Sequence, residues 1–198
     1  MVNAHISLDR RRVYQLYLEG QPRIGNDWQR AATFQARTAL VYNIDSALGL
    51  YAGYAWTPQL YDSKYHHDYR DEQRFWQQIS YRHGLMNMKW LHRIREEQRM
   101  QMRTEGVAHR VRYMLRGAHA FSNTEDFGLA FFNEVMINLN TVVGGAQSGY
   151  DRNRFFIGPY WVVGSAHYEL GYLAEHLKRF GAEERWAHAL VCAIMLQF

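Results

Sequence analysis

The chain has 198 residues, enough for one sizeable domain, with 47% hydrophobic and 15% aromatic residues and a formal net charge of +4. No run of eighteen apolar residues occurs, which excludes a transmembrane helix. The single cysteine, Cys192, excludes an internal disulfide or a cysteine metal cluster, and basic residues spread along the chain rather than gathered in a tail argue against nucleic acid as a partner.

Residues 1–11, MVNAHISLDRR, show neither the apolar stretch of a signal peptide nor a settled element, which fits a cytosolic chain or one trimmed to its mature start. Val13 to Pro22 alternates, with Tyr14, Leu16 and Leu18 on one side and Gln15, Tyr17, Glu19 and Gln21 on the other, and predicts a half-polar strand. Gly25-Asn26-Asp27 reads as a turn. Thr33 to Asn43 sets Phe34, Ala36, Thr38, Leu40 and Tyr42 against Gln35 and Arg37, and Ala47 to Trp56 sets Leu48, Leu50, Tyr54 and Trp56 against mostly small residues. Residues 57–70 read as a polar loop rich in Tyr and His.

From Asp71 onward the polar face is strongly charged. Asp71 to Arg82 aligns Glu72, Arg74, Trp76, Gln78, Ser80 and Arg82, and His83 to Asn87, around Gly84, reads as a short turn. Lys89 to Arg99 puts Arg93, Arg95, Glu97 and Arg99 on one side, opposite Trp90, His92, Ile94, Glu96 and Gln98. After a loop at 103–106, His109 to Arg116 repeats the theme with Arg110, Arg112 and Arg116. Ser122 to Asp126 is a turn. Phe127 to Leu139 sets Phe132, Glu134 and Asn138 against Leu129, Phe131, Asn133, Val135, Ile137 and Leu139. A long glycine-containing loop leads to Arg152 to Val163, where Arg152, Arg154, Phe156, Gly158 and Tyr160 share a face. Gly164-Ser165 is a hairpin turn. His167 to Glu175 aligns His167, Glu169, Gly171 and Glu175, a charged loop around Gly181 follows, and the chain ends with Leu190, Cys192, Ile194, Leu196 and Phe198 on one face.

MKWLHRIREEQRMQMR and residues 168–190 also carry helix-like spacing. Strict alternation with aromatic and branched residues in 47–56, 109–116, 127–139 and 152–163 favours strands there, and consistency extends the strand reading to the ambiguous pieces. About ten segments of roughly ten residues, with short turns at one end and longer loops at the other, predict an all-β, antiparallel up-and-down transmembrane β-barrel of about ten strands, or twelve, spanning 1–198 as one domain. The apolar face carries aromatics near strand ends, as at a bilayer interface. The polar face is mostly Arg and Glu, types suited to bidentate pairing in a confined lumen.

The segments Glu72–Gln78, Arg93–Arg99, Arg110–Arg112, Asn133-Glu134 with Asn138–Asn140, Asp151–Arg154 with Gly158, and Glu169–Tyr172 resemble, in order and spacing, a bacterial domain-of-unknown-function family regarded as outer-membrane β-barrels. The resemblance runs from about residue 12 to the end and implies a Gram-negative outer-membrane location, but no catalytic residues to carry over. Phe198 with its alternating apolar neighbours resembles the C-terminal signal read by the outer-membrane assembly machinery.

The lumen-lining set is therefore Glu19, Arg37, Glu72, Arg74, Trp76, Arg93, Arg95, Glu97, Arg99, Arg110, Arg112, Arg116, Glu134, Asn138, Arg152, Arg154 and Glu169. It forms either a surface that passes small anionic solutes or a salt-bridge plug in a closed barrel, the plug being favoured because long side chains can fill so narrow a lumen. His66, His67, Asp68 and Asp71 have the chemistry of metal ligands or a general base but no fixed third partner, and read as a solvated loop. No serine sits in a nucleophile motif, Cys192 reads as a lipid-facing apolar residue, and the glycines at 144, 145 and 149 do not form a phosphate loop. The expectation is a porin-like or structural barrel without cofactor, metal or enzymatic role, partnered by the lipid bilayer. The alternatives are an outer-membrane enzyme with a loop-borne site, or a soluble barrel that binds an acidic ligand.

Overall fold

The computed structural model describes the backbone of residues 1–24, 31–63, 66–121, 125–178 and 184–198, and the side chains of these except 24, 31–32, 59–63 and 66–70. Among the described residues one sheet holds every strand: β1 (Val2–Ser7), β2 (Tyr14–Ile24), β3 (Ala31–Asn43), β4 (Leu48–Trp56), β5 (Gln59–Ser63), β6 (His66–Arg70), β7 (Glu72–Leu85), β8 (Met88–Gln101), β9 (Ala108–Ala120), β10 (Phe127–Asn138), β11 (Gly149–Val163), β12 (Ala166–Leu177) and β13 (Arg185–Gln197). Eleven of them close a barrel in chain order, β4 pairing directly with β7 and β13 returning to β1. The β5–β6 hairpin stands off the barrel, joined to it through the Thr33–Gln59 pair.

Eleven is odd, and that decides how the barrel closes. Successive strands reverse direction, so the first and last run the same way, and β1 pairs with β13 in parallel from Val2 opposite Ile194 to His5 opposite Gln197. The expected count of about ten (or twelve) and the wholly antiparallel arrangement are corrected accordingly. The difference comes from residues 1–11, where no element was expected. Asn3, His5 and Ser7 alternate there with Val2, Ala4 and Ile6, a run too short to stand out by periodicity. Phe198 completes the seam: its N–H donates to the His5 carbonyl (2.9 Å) and its carbonyl accepts from the Ser7 N–H (3.1 Å) and hydroxyl (2.8 Å).

One local expectation also shifts: residues 57–70 contain the hairpin rather than only loop. The turn expected within His83 to Asn87 falls at Met86-Asn87, both with positive φ (54° and 58°), while Gly84 belongs to β7. Asn is at home in that left-handed conformation, but Met is not. Gly164 alone has positive φ at the β11–β12 turn, as a type II′ hairpin requires. The turns at Gly25-Asn26-Asp27 and Gly181 lie outside the described residues, as does Ser122.

Alternation along each strand sorts side chains to the two sides of the wall. On β7 the even-numbered residues from Glu72 to Ser80 are buried and the odd-numbered ones from Gln73 to Tyr81 exposed. The outward face is largely apolar, with Leu40 64%, Ile79 51% and Leu190 76% exposed. The inward face is filled in two ways. Along β2, β3, β4 and β7 a cluster of Tyr17, Ala39, Val41, Tyr51, Ala55 and Trp76 packs into the lumen. Tyr51 stacks on Trp76 at 6.4 Å between ring centroids, and Tyr17 meets it edge-on at 6.2 Å. Gly53 makes room for the indole, since a Cβ there would fall 2.2 Å from the Thr38 carbonyl oxygen and 2.8 Å from the Trp76 ring. Along β7 to β12 the filling is largely ionic, with Met114, Met136, Phe156 and Tyr160 also buried.

Candidate functional site: the charged interior

Strands β7 to β12 send guanidinium and carboxylate groups inward at matched heights because register pairs them. Glu97 lies opposite Arg110 and Glu134 opposite Arg154. Glu97, 1% exposed, is a hub: Oε2 accepts from Arg110 Nη2 (2.5 Å) and Nε (3.1 Å), and Oε1 from Arg112 Nη1 (2.7 Å). Glu134 takes Arg112 through Nη2 (2.7 and 2.8 Å) and Nε (3.0 Å), with Arg93 Nη2 at 2.7 Å. Glu72 accepts from Arg99 Nε (2.5 Å) and Arg74 Nε (2.8 Å). Such forked contacts are what Arg supplies and Lys cannot.

The remaining members surround this centre. Arg37 Nη1 donates to Glu19 (2.8 Å), which also accepts the Tyr17 hydroxyl. Arg116 pairs with Glu169, and His167 Nε2 lies 2.8 Å from the same carboxylate. Arg152 and Arg154 share Glu175. Arg95, 2% exposed, donates to Gln78 Oε1 from Nε (2.9 Å) and Nη2 (2.6 Å) and lies 4.2 Å over the Trp76 ring, so it joins the ionic filling to the aromatic one. Asn138, 5% exposed, donates to the Gln147 carbonyl (3.0 Å) and ties β10 to the loop that follows.

The seventeen residues singled out from the sequence are all buried or half-buried. Others belong with them. Gln78 and Glu175 share the same faces, and their alternation was the available signal. Asp151 was not legible. A β-bulge shifts register between Met136 and Ile137, and Asp151 reaches Arg110 Nη1 (3.1 Å) beside its inward neighbour Arg152. Arg23 at the end of β2 and Tyr17 complete the set.

Among the described residues, a cavity at each end of the interior can be distinguished, and the two share no lining residue. At the short-turn end one of about 520 Å³ is bounded by His5, Arg12, Asn43, Arg82 and Phe198, among others. In the half nearer the longer loops, a chamber of about 190 Å³ is lined by Arg23, Arg37, Arg74, Arg99, Arg110, Arg112, Arg152 and Arg154, with Glu72 the one carboxylate among the described residues on its wall. Trp76, Gln78, Arg95 and Phe156 are buried between the two ends. Among the described residues no group of three or more His, Cys, Asp or Glu side chains could hold a metal ion. The side chains of His66, His67 and Asp68 lie outside the described residues.

Fold and interior together define a closed, eleven-stranded β-barrel lined by buried Arg–Glu ion pairs. Residues 1–186 match the family described as "Protein of unknown function (DUF2490)", and the chain belongs to that bacterial family. It is 33% identical over 162 residues to an uncharacterized protein of Methylorubrum extorquens, a match covering 79% of this chain and 69% of the relative. No solved structure matches.

Proposed function

We propose that this protein is a bacterial outer-membrane barrel closed at mid-height by its own side chains. The observation that carries this reading is the inversion of the wall. Glu72, Arg95, Glu97, Arg112 and Glu134 are buried inside at 1–4% or so of their free exposure, while Leu40, Ile79, Leu190 and Phe155 point out. Water does not reward that arrangement and hydrocarbon does. Several polar groups on the outer face support the reading because they satisfy one another. Asn133 and Asn153 exchange amide hydrogen bonds (3.1 and 3.0 Å). Glu96 pairs with His109 (3.0 Å) and accepts from Gln98 (3.3 Å), and His92 Nδ1 lies 2.9 Å from the Tyr113 hydroxyl. Mutual pairing is what a low-dielectric surround demands of polar groups.

In this reading the longer loops face outward and the short turns face the periplasm. Phe198 at the seam is the residue the assembly machinery reads. The lumen passes no large solute and the barrel has no catalytic role; small anions are the solutes its charge would admit.

The test is twofold. The chain should partition into the detergent phase and migrate differently on gels before and after heating, as intact barrels do. A soluble, detergent-free monomer would remove the membrane reading. In planar bilayers it should show no steady large conductance. An open, ohmic channel that persists would overturn the closed lumen while leaving the membrane barrel intact.

A further inference from the structure

We propose that the arginine chamber in the long-loop half of the lumen is a binding site for a compact oxyanion carrying two or more negative charges, with a phosphate group as the type ligand. The inference deepens the reading above: it needs a folded barrel with its charges inside, but not its placement in a membrane.

The argument starts from charge balance. The eight chamber arginines lie beside Arg93 and Arg95. Among the described residues eight of these ten guanidinium groups are linked through Glu72, Glu97, Glu134, Asp151 and Glu175, Arg37 holds Glu19 separately and Arg23 has no described ion pair, so ten guanidinium groups face six carboxylates, an excess of four positive charges. Below it, Arg116 and Glu169 balance one another. Buried charge without a counter-charge is costly, so the excess among the described residues favours an anion that enters.

Geometry then narrows what enters. Arg37 is 7% exposed in its side chain, and its buried Nε has no hydrogen-bond acceptor although its Nη1 holds Glu19. Arg23 makes its one described hydrogen bond to the neutral Gln21 Oε1 (3.3 Å). The unpartnered Arg37 Nε and the Arg23 fork, in a space lined by eight guanidinium groups, call for an anion with several acceptor oxygens rather than a single-point ion. The chamber, about 190 Å³, holds roughly six waters at about 30 Å³ each. That suits orthophosphate or a small phosphate ester and is too small for a nucleotide or an oligosaccharide.

The experiment uses the full chain in detergent micelles, with gel mobility before and after heating as the check of the barrel. Calorimetric titration with inorganic phosphate, glycerol phosphate, sulfate and chloride at matched ionic strength should give a saturable isotherm for the phosphate probes and none for chloride. Tighter binding of inorganic phosphate than of glycerol phosphate identifies the free ion as the ligand, and the reverse identifies an ester. Arg37→Gln should weaken phosphate binding by about tenfold or more, the worth of a charged hydrogen bond. Arg23→Gln, outside the described ion pairs, is the variant expected to fold without difficulty. It should weaken phosphate binding and, without phosphate, leave the unfolding midpoint unchanged or raised. Equal response to all four anions, or phosphate binding untouched in both variants, overturns the proposal. An intact barrel that binds no phosphate sinks this inference alone, whereas a chain lacking heat-dependent mobility loses the barrel reading as well.

Discussion

The two flanks of the lumen solve one problem with opposite chemistry. An eleven-stranded barrel is wider than the small barrels whose interior ordinary side chains fill. On the β2, β3, β4 and β7 flank, three aromatic rings supply the volume, and glycine at position 53 receives the largest of them. On the β7 to β12 flank, long guanidinium side chains from facing strands meet on shared carboxylates. The aromatic filling needs few partners and fails locally when one ring is cut back. The ionic filling holds only while its charges are matched, so the same truncation there leaves a buried charge exposed to its own kind. Arg95 over Trp76 is where the two meet.

That contrast can be broken or sharpened by measurement, using urea unfolding in micelles followed by tryptophan fluorescence. The largest effect is expected for Glu97→Ala, which strands Arg110 and Arg112 without their shared acceptor and should cost about 3–5 kcal/mol. Trp76→Ala removes a ring that is 1% exposed and should cost about 3 kcal/mol, with no dependence on salt. If Glu97→Ala proved the milder of the two, the ionic flank would not be the more brittle one.

A third measurement asks whether ion pairs here stabilise or merely compensate. Arg116→Met alone should cost more than the pair Arg116→Met with Glu169→Leu, which should come within about 1 kcal/mol of wild type, because removing both charges leaves none buried alone. Next, Met86→Asn places a residue suited to positive φ in the β7–β8 turn and should stabilise by about 1 kcal/mol. A fall in stability would mean that Met86 does something beyond turning the chain.

The smallest effect lies outside the strands, at the β1–β2 turn. The Tyr14 N–H (2.7 Å), with help from that of Arg11 (3.0 Å), holds the Asp9 carboxyl below the ordinary aspartate range. A folded-state pKa below the unfolded one contributes stability above the unfolded pKa, which is lost as pH falls through the folded value. Asp9→Ala should therefore lower the midpoint slightly at neutral pH and leave it unchanged once wild-type Asp9 is protonated.

Much of this was legible residue by residue. Alternation at Lys89 to Arg99 and at Phe127 to Leu139 sorts inward from outward side chains without knowledge of neighbours, because a strand has only two faces. Asp151 escaped because a bulge changes parity locally, and no residue type announces it. Arg23 escaped because a guanidinium at a strand end could equally serve a loop. Residues 1–11 escaped because six alternating residues are too few to separate from chance.

The amino-acid order alone determined the all-β character, the inverted wall and the arginine and glutamate types within it, since these follow from period-two patterning and the cost of burying charge. Tertiary structure decided the strand number, and with it the parallel seam between β1 and β13, because parity is a property of the closed ring and not of any segment. It also decided which carboxylate each guanidinium reaches and where positive charge is left over, because those depend on barrel radius and on register between strands far apart in the chain.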